Sequence, residues 1–306
     1  MTSLESRCQQ FLRYLQQVRQ LSPHTLDNYR RDLNSLSRFC QQQQLIEPDQ
    51  IYDRHIRQWV AQLHRRGLAS SSIQRSLSAA RSFFNYLSQE YQHYSNPAVG
   101  ISAPRKPRKL PKTLDADQVG QFLNFNGDSD IALRDCAMAE LFYSSGLRLA
   151  ELVAIDLPDI DRSAKLVTVT GKGNKTRTVP IGSVALAAID AWLKVRPQQT
   201  DDNKHRALFT TRRGSRISAR NIQARLKLQG RKSGMLQDVH PHMLRHSFAS
   251  HMLESSGDLR AVQELLGHAN ISTTQIYTHL DFQHLSKVYD KAHPRAKKRK
   301  HTDHEK

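Results

Sequence analysis

The chain has 306 residues, and its 46 Lys and Arg against 28 Asp and Glu leave a formal charge of +18. That length suits two domains, and no apolar run reaches the roughly 18 residues of a membrane span. The first twenty residues are polar and amphipathic, with no secretory core, so a cytoplasmic, non-membrane protein is expected. Cys8, Cys40 and Cys136 form no C-x-x-C pair, which excludes a disulfide framework or a thiolate zinc finger. Residues 1–110 carry 16 basic and 7 acidic side chains and residues 111–306 carry 30 and 21, so each part holds a charge of +9. A basic surface shared by two domains points to a polyanion partner, because neutralising phosphates releases counterions.

In chain order, an opening helix is expected around Phe11, Leu15 and Val18. Ser22 and Pro23 make an N-cap and N1 pair for a second helix, whose stripe is Leu26, Tyr29, Leu33, Leu36, Phe39 and Cys40. Trp59, Val60 and Leu63 form a third stripe, stopping at Gly67. Ile73, Leu77, Ala80, Phe84, Leu87 and Tyr91 form a fourth, with Ser70, Ser71 and Ser72 as candidate caps. Arg30, Arg31, Arg38, Arg65, Arg66, Arg75 and Arg81 fall off these stripes and are expected to form a phosphate-binding face. Pro97, Pro104, Pro107 and Pro111, interleaved with Arg105, Lys106, Arg108 and Lys109, mark a basic linker. The expected division is therefore 1–94 as a helical DNA-binding domain, 95–113 as linker, 114–290 as a second domain and 291–306 as a disordered basic tail.

The second domain opens with capping-box spacing at Asp115 and Gln118, and a helix through Ala137, Leu141 and Phe142 runs to Gly146. Leu166–Thr170 and Thr176–Pro180 alternate as two strands around the turn GKGNK, and a helix follows from Val184 to Val195. Beyond Phe209 the pattern is helical, with breaks expected at Gly230, Gly257 and Gly267. The expected fold class is mainly α with a small antiparallel β-sheet.

No phosphate-binding GxxxxGK[ST] loop and no HExxH motif occurs. Asp156, Asp159 and Asp161 could suggest a two-metal nuclease, but DLPDID reads as caps and turns. A His-x-x-x-His pair, His242 and His246, has an arginine between its members and no carboxylate nearby. The informative stretch is 240–280. His242 and Arg245 share a helix face after Pro241, LGH delivers His268 after a helix end, and Tyr277 follows in a polar stretch. Upstream, SSGLRLAEL carries Arg148 and GKGNKTRTVP carries Lys172.

This order of motifs resembles the tyrosine recombinase (phage integrase) family over nearly the whole chain. The resemblance implies a SAM-like core-binding domain and a catalytic domain closing on DNA as a C-shaped clamp, with neither metal nor ATP required. It implies site-specific cutting and rejoining of double-stranded DNA through a 3′-phosphotyrosyl intermediate, resolving chromosome and plasmid dimers at cell division. The implied partners are DNA, a related recombinase in a heterotetramer, and a septal DNA translocase. Arg148 and Arg245 would hold the non-bridging oxygens of the phosphodiester, whose own charge repels a nucleophile. Tyr277 is the implied nucleophile. A phenol of pKa near 10 is only about a thousandth ionised at pH 7, so it needs a cationic setting or a base. His242 is the candidate base, Lys172 the candidate acid for the leaving 5′-oxygen, and His268 a phosphate donor, the roles of the two histidines being interchangeable at this level. Leu280, Phe282, Leu285 and Val288 form a stripe suited to docking on a neighbouring subunit or on its own domain. The same residues would also serve a type IB topoisomerase, and an architectural DNA-binding protein or repressor would use the basic domains alone. The helical bundle before the linker favours strand exchange.

Overall fold

The computed structural model describes residues 3–91, 95–104, 113–171, 175–197, 206–267, 289 and 292–293, which form two compact units divided at Lys109/Leu110. In the first unit, four helices surround one apolar core: α1 (Ser3–Gln17), α2 (Pro23–Gln42), α3 (Asp53–Arg65) and α4 (Ser70–Glu90). The expected stripes face that core. Leu26, Leu33, Leu36 and Phe39 of α2 meet Leu77, Phe83, Phe84 and Leu87 of α4, with Phe11 of α1 edge-on to Phe83. Ser22 caps α2, its hydroxyl accepting from Thr25 N at 3.3 Å with Pro23 at the first helical position. Val18 lies beyond the end of α1 and is exposed, so the first stripe ends at Leu15.

Two further expectations are corrected here. Ser70, Ser71 and Ser72 do not cap α4. The N-cap is Ala69, and Ser72 and Ser76 are within the helix, where the Ser76 hydroxyl donates to Ser72 O. The basic face is also smaller than the charge pattern suggests. Arg75 grips the buried carboxylate of Asp32 through two bonds of 2.8 and 2.9 Å, and Arg81 donates to the carbonyls of Ala98 and Ile101. Those bonds, with the burial of Ala98 and Ile101, fold residues 96–101 onto the first unit.

The second unit is built around α6 (Asp130–Ser145), from which every residue between Arg134 and Ser145 except Cys136 is buried. Such a helix has no solvent face because elements cover it on all sides. Packed against it are α8 (Ser183–Val195), α9 (Ala219–Lys232) and α10 (Pro241–Ser256), together with a three-stranded sheet. The sheet runs β1 (Ile160–Asp161), β2 (Leu166–Thr170), β3 (Thr176–Pro180), all antiparallel, with Val167 opposite Val179 and Val169 opposite Arg177. Short helices α5 (Ala116–Phe122), α7 (Leu149–Ala154) and α11 (Leu259–Leu266) complete the unit. The capping box of α5 forms as spaced, Gln118 N donating to Asp115 at 2.8 Å and Asp115 N to Gln118 at 3.2 Å.

Gly230 does not break a helix. It lies inside α9, where a Cβ would come within 2.9 Å of Val239 Cγ2, so its smallness serves packing. The chain leaves α9 two residues past its end, at Gly234 (φ +70°), while Gly257 and Gly267 do end α10 and α11. The acidic trio is used locally. Asp159 accepts from Asp156 N, Asp161 accepts from Ala164 N at 2.8 Å, and Asp156 pairs with Arg216. At the far end, Ala292 and His293 are buried rather than part of a tail. Tyr289 donates to or accepts from Ser144 at 2.7 Å, and His293 bonds Tyr143 O at 3.2 Å. Among the described residues no helix is long and apolar enough to cross a membrane.

Candidate active site

The site begins where α6 stops. Gly146 takes a left-handed backbone (φ +57°), and a Cβ there would come within 2.4 Å of Phe248 Cδ1, so neither the turn nor the packing admits a side chain. Two residues on, Arg148 is the N-cap of α7, and Glu151 at the third helical position closes the turn by accepting from Arg148 N at 2.8 Å. The same carboxylate accepts from Arg148 Nη1 at 2.7 Å.

α10 delivers the second guanidinium. His240 caps it through Nδ1, which accepts from Met243 N at 3.1 Å, and Pro241 occupies the first helical position. This start leaves His242 exposed and puts Arg245 one turn further along. Arg245 Nη1 donates to Gly146 O at 2.5 Å and Nη2 to Leu266 O at 2.7 Å, while Arg148 Nη2 donates to Gly267 O at 3.0 Å. The two arginines singled out in the sequence, 97 positions apart by their numbers, are therefore held by adjacent carbonyls at the end of α11.

A third guanidinium was not expected from the sequence. Arg177, on β3, forks onto Glu151 with bonds of 2.7 and 2.9 Å and donates through Nε to Leu265 O at 3.2 Å. Burial pushes the Glu151 carboxyl up, but the hydrogen bonds from Arg177 and from the Arg148 backbone, with the charge of Arg177, bring it down to about 2. Arg148 and Arg177 thus share one carboxylate, and Arg245 feels its charge. Burial first, and then the charge of Arg148, lowers the Arg245 pKa to about 10, with Arg177 acting the same way and Glu151 opposing. Among the described residues the cluster carries two uncompensated positive charges, a composition that suits a bound phosphate.

His242, Arg245 and His246 border an open groove whose other wall is Leu259, Val262 and Leu266 of α11. The described lining of that groove contains no carboxylate beside the two histidines. Burial, followed by the charge of His242, lowers the pKa of His240, in keeping with a neutral ring whose Nδ1 accepts as the helix cap.

Lys172, His268 and Tyr277 lie outside the described residues, as do Leu280, Phe282, Leu285 and Val288. The backbone just before two of them is described. At Gly171, one residue before Lys172, a Cβ would be 3.3 Å from Glu151 Oε1 and 3.7 Å from Arg148 Nη1. Gly267, one residue before His268, has its carbonyl on Arg148. Of the expected site residues the structure brings together Arg148 and Arg245, with His242 on the adjoining groove. Glu151, Arg177 and His240 are the members that motif spacing missed. Glu151 could have been found by its capping offset from Arg148, and Arg177 by the alternation of β3, which turns it inward with Val179.

A helical first unit is thus joined to a second unit that gathers three guanidiniums around the end of α11, a composition that suits a phosphate ligand. Residues 112–284 match the model of the phage integrase family, and residues 8–91 match the phage integrase N-terminal SAM-like domain. Tyrosine recombinase XerC of Pseudomonas aeruginosa is 53% identical over 295 residues, covering 96% of each chain. The XerC of Xanthomonas axonopodis pv. citri is 50% identical, covering 96% of this chain and 99% of its own. Among solved structures, the XerH site-specific recombinase bound to a palindromic difH substrate shares the fold. Its TM-score is 0.69 at 21% identity, covering 92% of this chain and 84% of that one. The chain belongs to the phage integrase family. It is a tyrosine recombinase, an enzyme that cuts and rejoins DNA strands.

Proposed function

We propose that Tyr277 is the nucleophile, that Arg148 and Arg245 hold the scissile phosphate, and that Lys172, His242 and His268 handle the protons and the remaining phosphate contact. In the first step the Tyr277 oxygen bonds to phosphorus as the P–O5′ bond breaks. The phenolic proton passes to His242 or His268, and the departing 5′-oxygen takes a proton from Lys172. The 3′-phosphotyrosyl ester keeps the energy of the broken linkage. Attack by the 5′-hydroxyl of another strand releases Tyr277 and completes exchange, so the cycle draws on no ATP.

The observation that carries this reading is the pairing of Arg148 and Arg245 on the adjacent carbonyls of Gly267 and Leu266, in a cluster of three guanidiniums and one carboxylate. Fixed donors of this kind are already aimed before charge builds on the phosphorane oxygens, and removing one costs about a hundredfold in rate. The similarity to XerC recombinases supports action with an XerD-like partner. Two copies of each would assemble on two duplexes in the cytoplasm, under a septal DNA translocase, to resolve chromosome dimers. In that assembly residues 1–94 are a core-binding domain, joined by 95–113 to a catalytic domain that begins at residue 114.

The test is a nicked duplex carrying the site that the protein selects from fragments of its own genome. Loss of the short strand beyond the nick traps the covalent adduct, which denaturing gels resolve. The wild type is expected to form the adduct, and Tyr277→Phe to bind the duplex equally well and form none. An adduct in Tyr277→Phe would overturn the assignment of the nucleophile. Absence of any adduct in the wild type, with binding intact, would favour a purely architectural role.

A further inference from the structure

Hydrogen bonds and one close packing contact complete a ring around Glu151. Arg177 forks onto Glu151, Glu151 accepts from Arg148, Arg148 donates to Gly267 O, and Gly267 lies against Arg177. The last contact is a close one. Gly267 is left-handed (φ +65°), and a Cβ there would be 2.9 Å from Arg177 Cδ, 3.1 Å from Nε and 3.2 Å from Cζ. The ring joins β3, the start of α7 and the end of α11, three elements separated by up to 119 residues.

We propose that Arg177 is a positioning residue for strand cleavage, fixing Arg148 through their shared carboxylate and fixing the end of α11 through Leu265 O and the face of Gly267. Its exposure is 9%, so it acts through its neighbours and not on the DNA. An arginine is required because three donors in one plane serve two carboxylate oxygens and a carbonyl at once. A lysine offers a single point charge and cannot span them. A whole buried ion pair is often replaceable by apolar side chains without loss, so stability alone does not call for a carboxylate and a fork together at this place. A third positive charge, one that lowers the Arg245 pKa, is instead consistent with a fixed geometry that accepts an anion. Without the fork, Glu151 can swing with Arg148, and the carbonyls of Leu266 and Gly267 that seat both phosphate-holding arginines lose their support from below.

This inference rests on the proposed role of Arg148, and the test separates the two. Four variants are compared with the wild type on the nicked duplex described above: Arg177→Met, Arg177→Lys, Arg148→Lys, and the double variant Arg177→Met with Arg148→Lys. Duplex affinity is read by gel shift and adduct formation under single turnover. Arg177→Met is expected to bind within about threefold of wild type and to cleave about a hundredfold more slowly, the cost of misplacing a reacting group by about an ångström. Arg177→Lys, which retains charge and one bond to Glu151, should lose about tenfold. Because residues acting as a unit are not additive, the double variant should cleave at about the rate of Arg148→Lys alone.

Wild-type cleavage by Arg177→Lys, or by a folded Arg177→Met, would overturn the proposal. So would a double variant slower than Arg148→Lys by the full factor seen for Arg177→Met alone. Should Arg177→Met fail to fold, Arg177→Lys decides. Wild-type cleavage by Arg148→Lys would instead overturn the reading of Arg148 itself.

Discussion

Glu151 is 2% exposed and, among the described residues, is the one carboxylate bonded to Arg148 and Arg177, so its charge underwrites the whole cluster. Glu151→Gln keeps the shape and removes the charge, leaving buried cations uncompensated. The expected loss is about 3–5 kcal/mol at pH 7, measured by urea denaturation. The pH dependence follows from the direction of the shift. A carboxyl lowered from its ordinary 4.5 to about 2 contributes stability that is fully present above about pH 5 and is lost as pH falls toward 2. The gap between wild type and Glu151→Gln should therefore be constant from pH 5 to 7 and narrow at pH 3. A gap unchanged at pH 3 would show that the carboxylate is not what stabilises the site. At this scale only part of the site was legible in the sequence. Arg148 and Arg245 were legible through the motifs that resemble those of the family, SSGLRLAEL and the stretch from His242 to Arg245. The alternation of β3 marks Arg177 as inward-facing but does not name its partners, because Glu151 and Leu265 lie 26 and 88 residues away and only the tertiary fold unites them.

Helices were readable where two signals agreed, a periodic apolar stripe and a chemically sensible end. α2 has Ser22, Pro23 and its stripe, and α6 ends on Gly146. The two-residue strand β1 carries no period to read, and its place is set by pairing Ile160 with Val167. Glycines were ambiguous because they serve two different physical needs. Gly230 supplies room inside α9 beside Val239, whereas Gly257 supplies a left-handed turn (φ +65°) with nothing within 4 Å of a would-be Cβ. Gly146 needs both, and the difference is measurable. Gly257→Ala should cost only the left-handed strain, about 1–2 kcal/mol. Gly146→Ala adds overpacking against Phe248 and Leu266, for a total of about 2–5 kcal/mol. Urea midpoints at a common m-value give both figures. Equal losses would mean that Phe248 yields to the methyl group and that α6 and α10 are less tightly fitted than the distances indicate. Because Arg245 donates to Gly146 O, the strand-cleavage rate should fall further in Gly146→Ala than in Gly257→Ala.

The molecule as a whole carries +18, divided evenly between residues 1–110 and 111–306, but the structure spends part of that charge on itself. Arg75 is bound to Asp32, Arg134 and Arg225 to Asp135, Arg177 to Glu151 and Arg216 to Asp156. What remains for DNA includes Arg13 and Arg38, both exposed and lining the groove between α1 and α2. If the first unit binds the duplex backbone, these two should contribute to affinity without contributing to sequence choice. Each phosphate contact that displaces a counterion steepens the fall of log K with log salt by about 0.9. The double variant Arg13→Gln, Arg38→Gln should therefore weaken binding to target and unrelated duplexes by the same factor and reduce the slope by about 2. Arg75→Gln should behave oppositely. The salt slope should hold, while stability falls by about 1–3 kcal/mol because Asp32 stays buried with the Ser76 hydroxyl but without the charged fork. Titrations at several salt concentrations on both duplexes, alongside urea denaturation, distinguish the two kinds of arginine. An unchanged slope in the Arg13, Arg38 variant would move the phosphate contacts of the first unit off the α1–α2 groove, and a reduced slope in Arg75→Gln would mean that its ion pair with Asp32 opens when DNA binds.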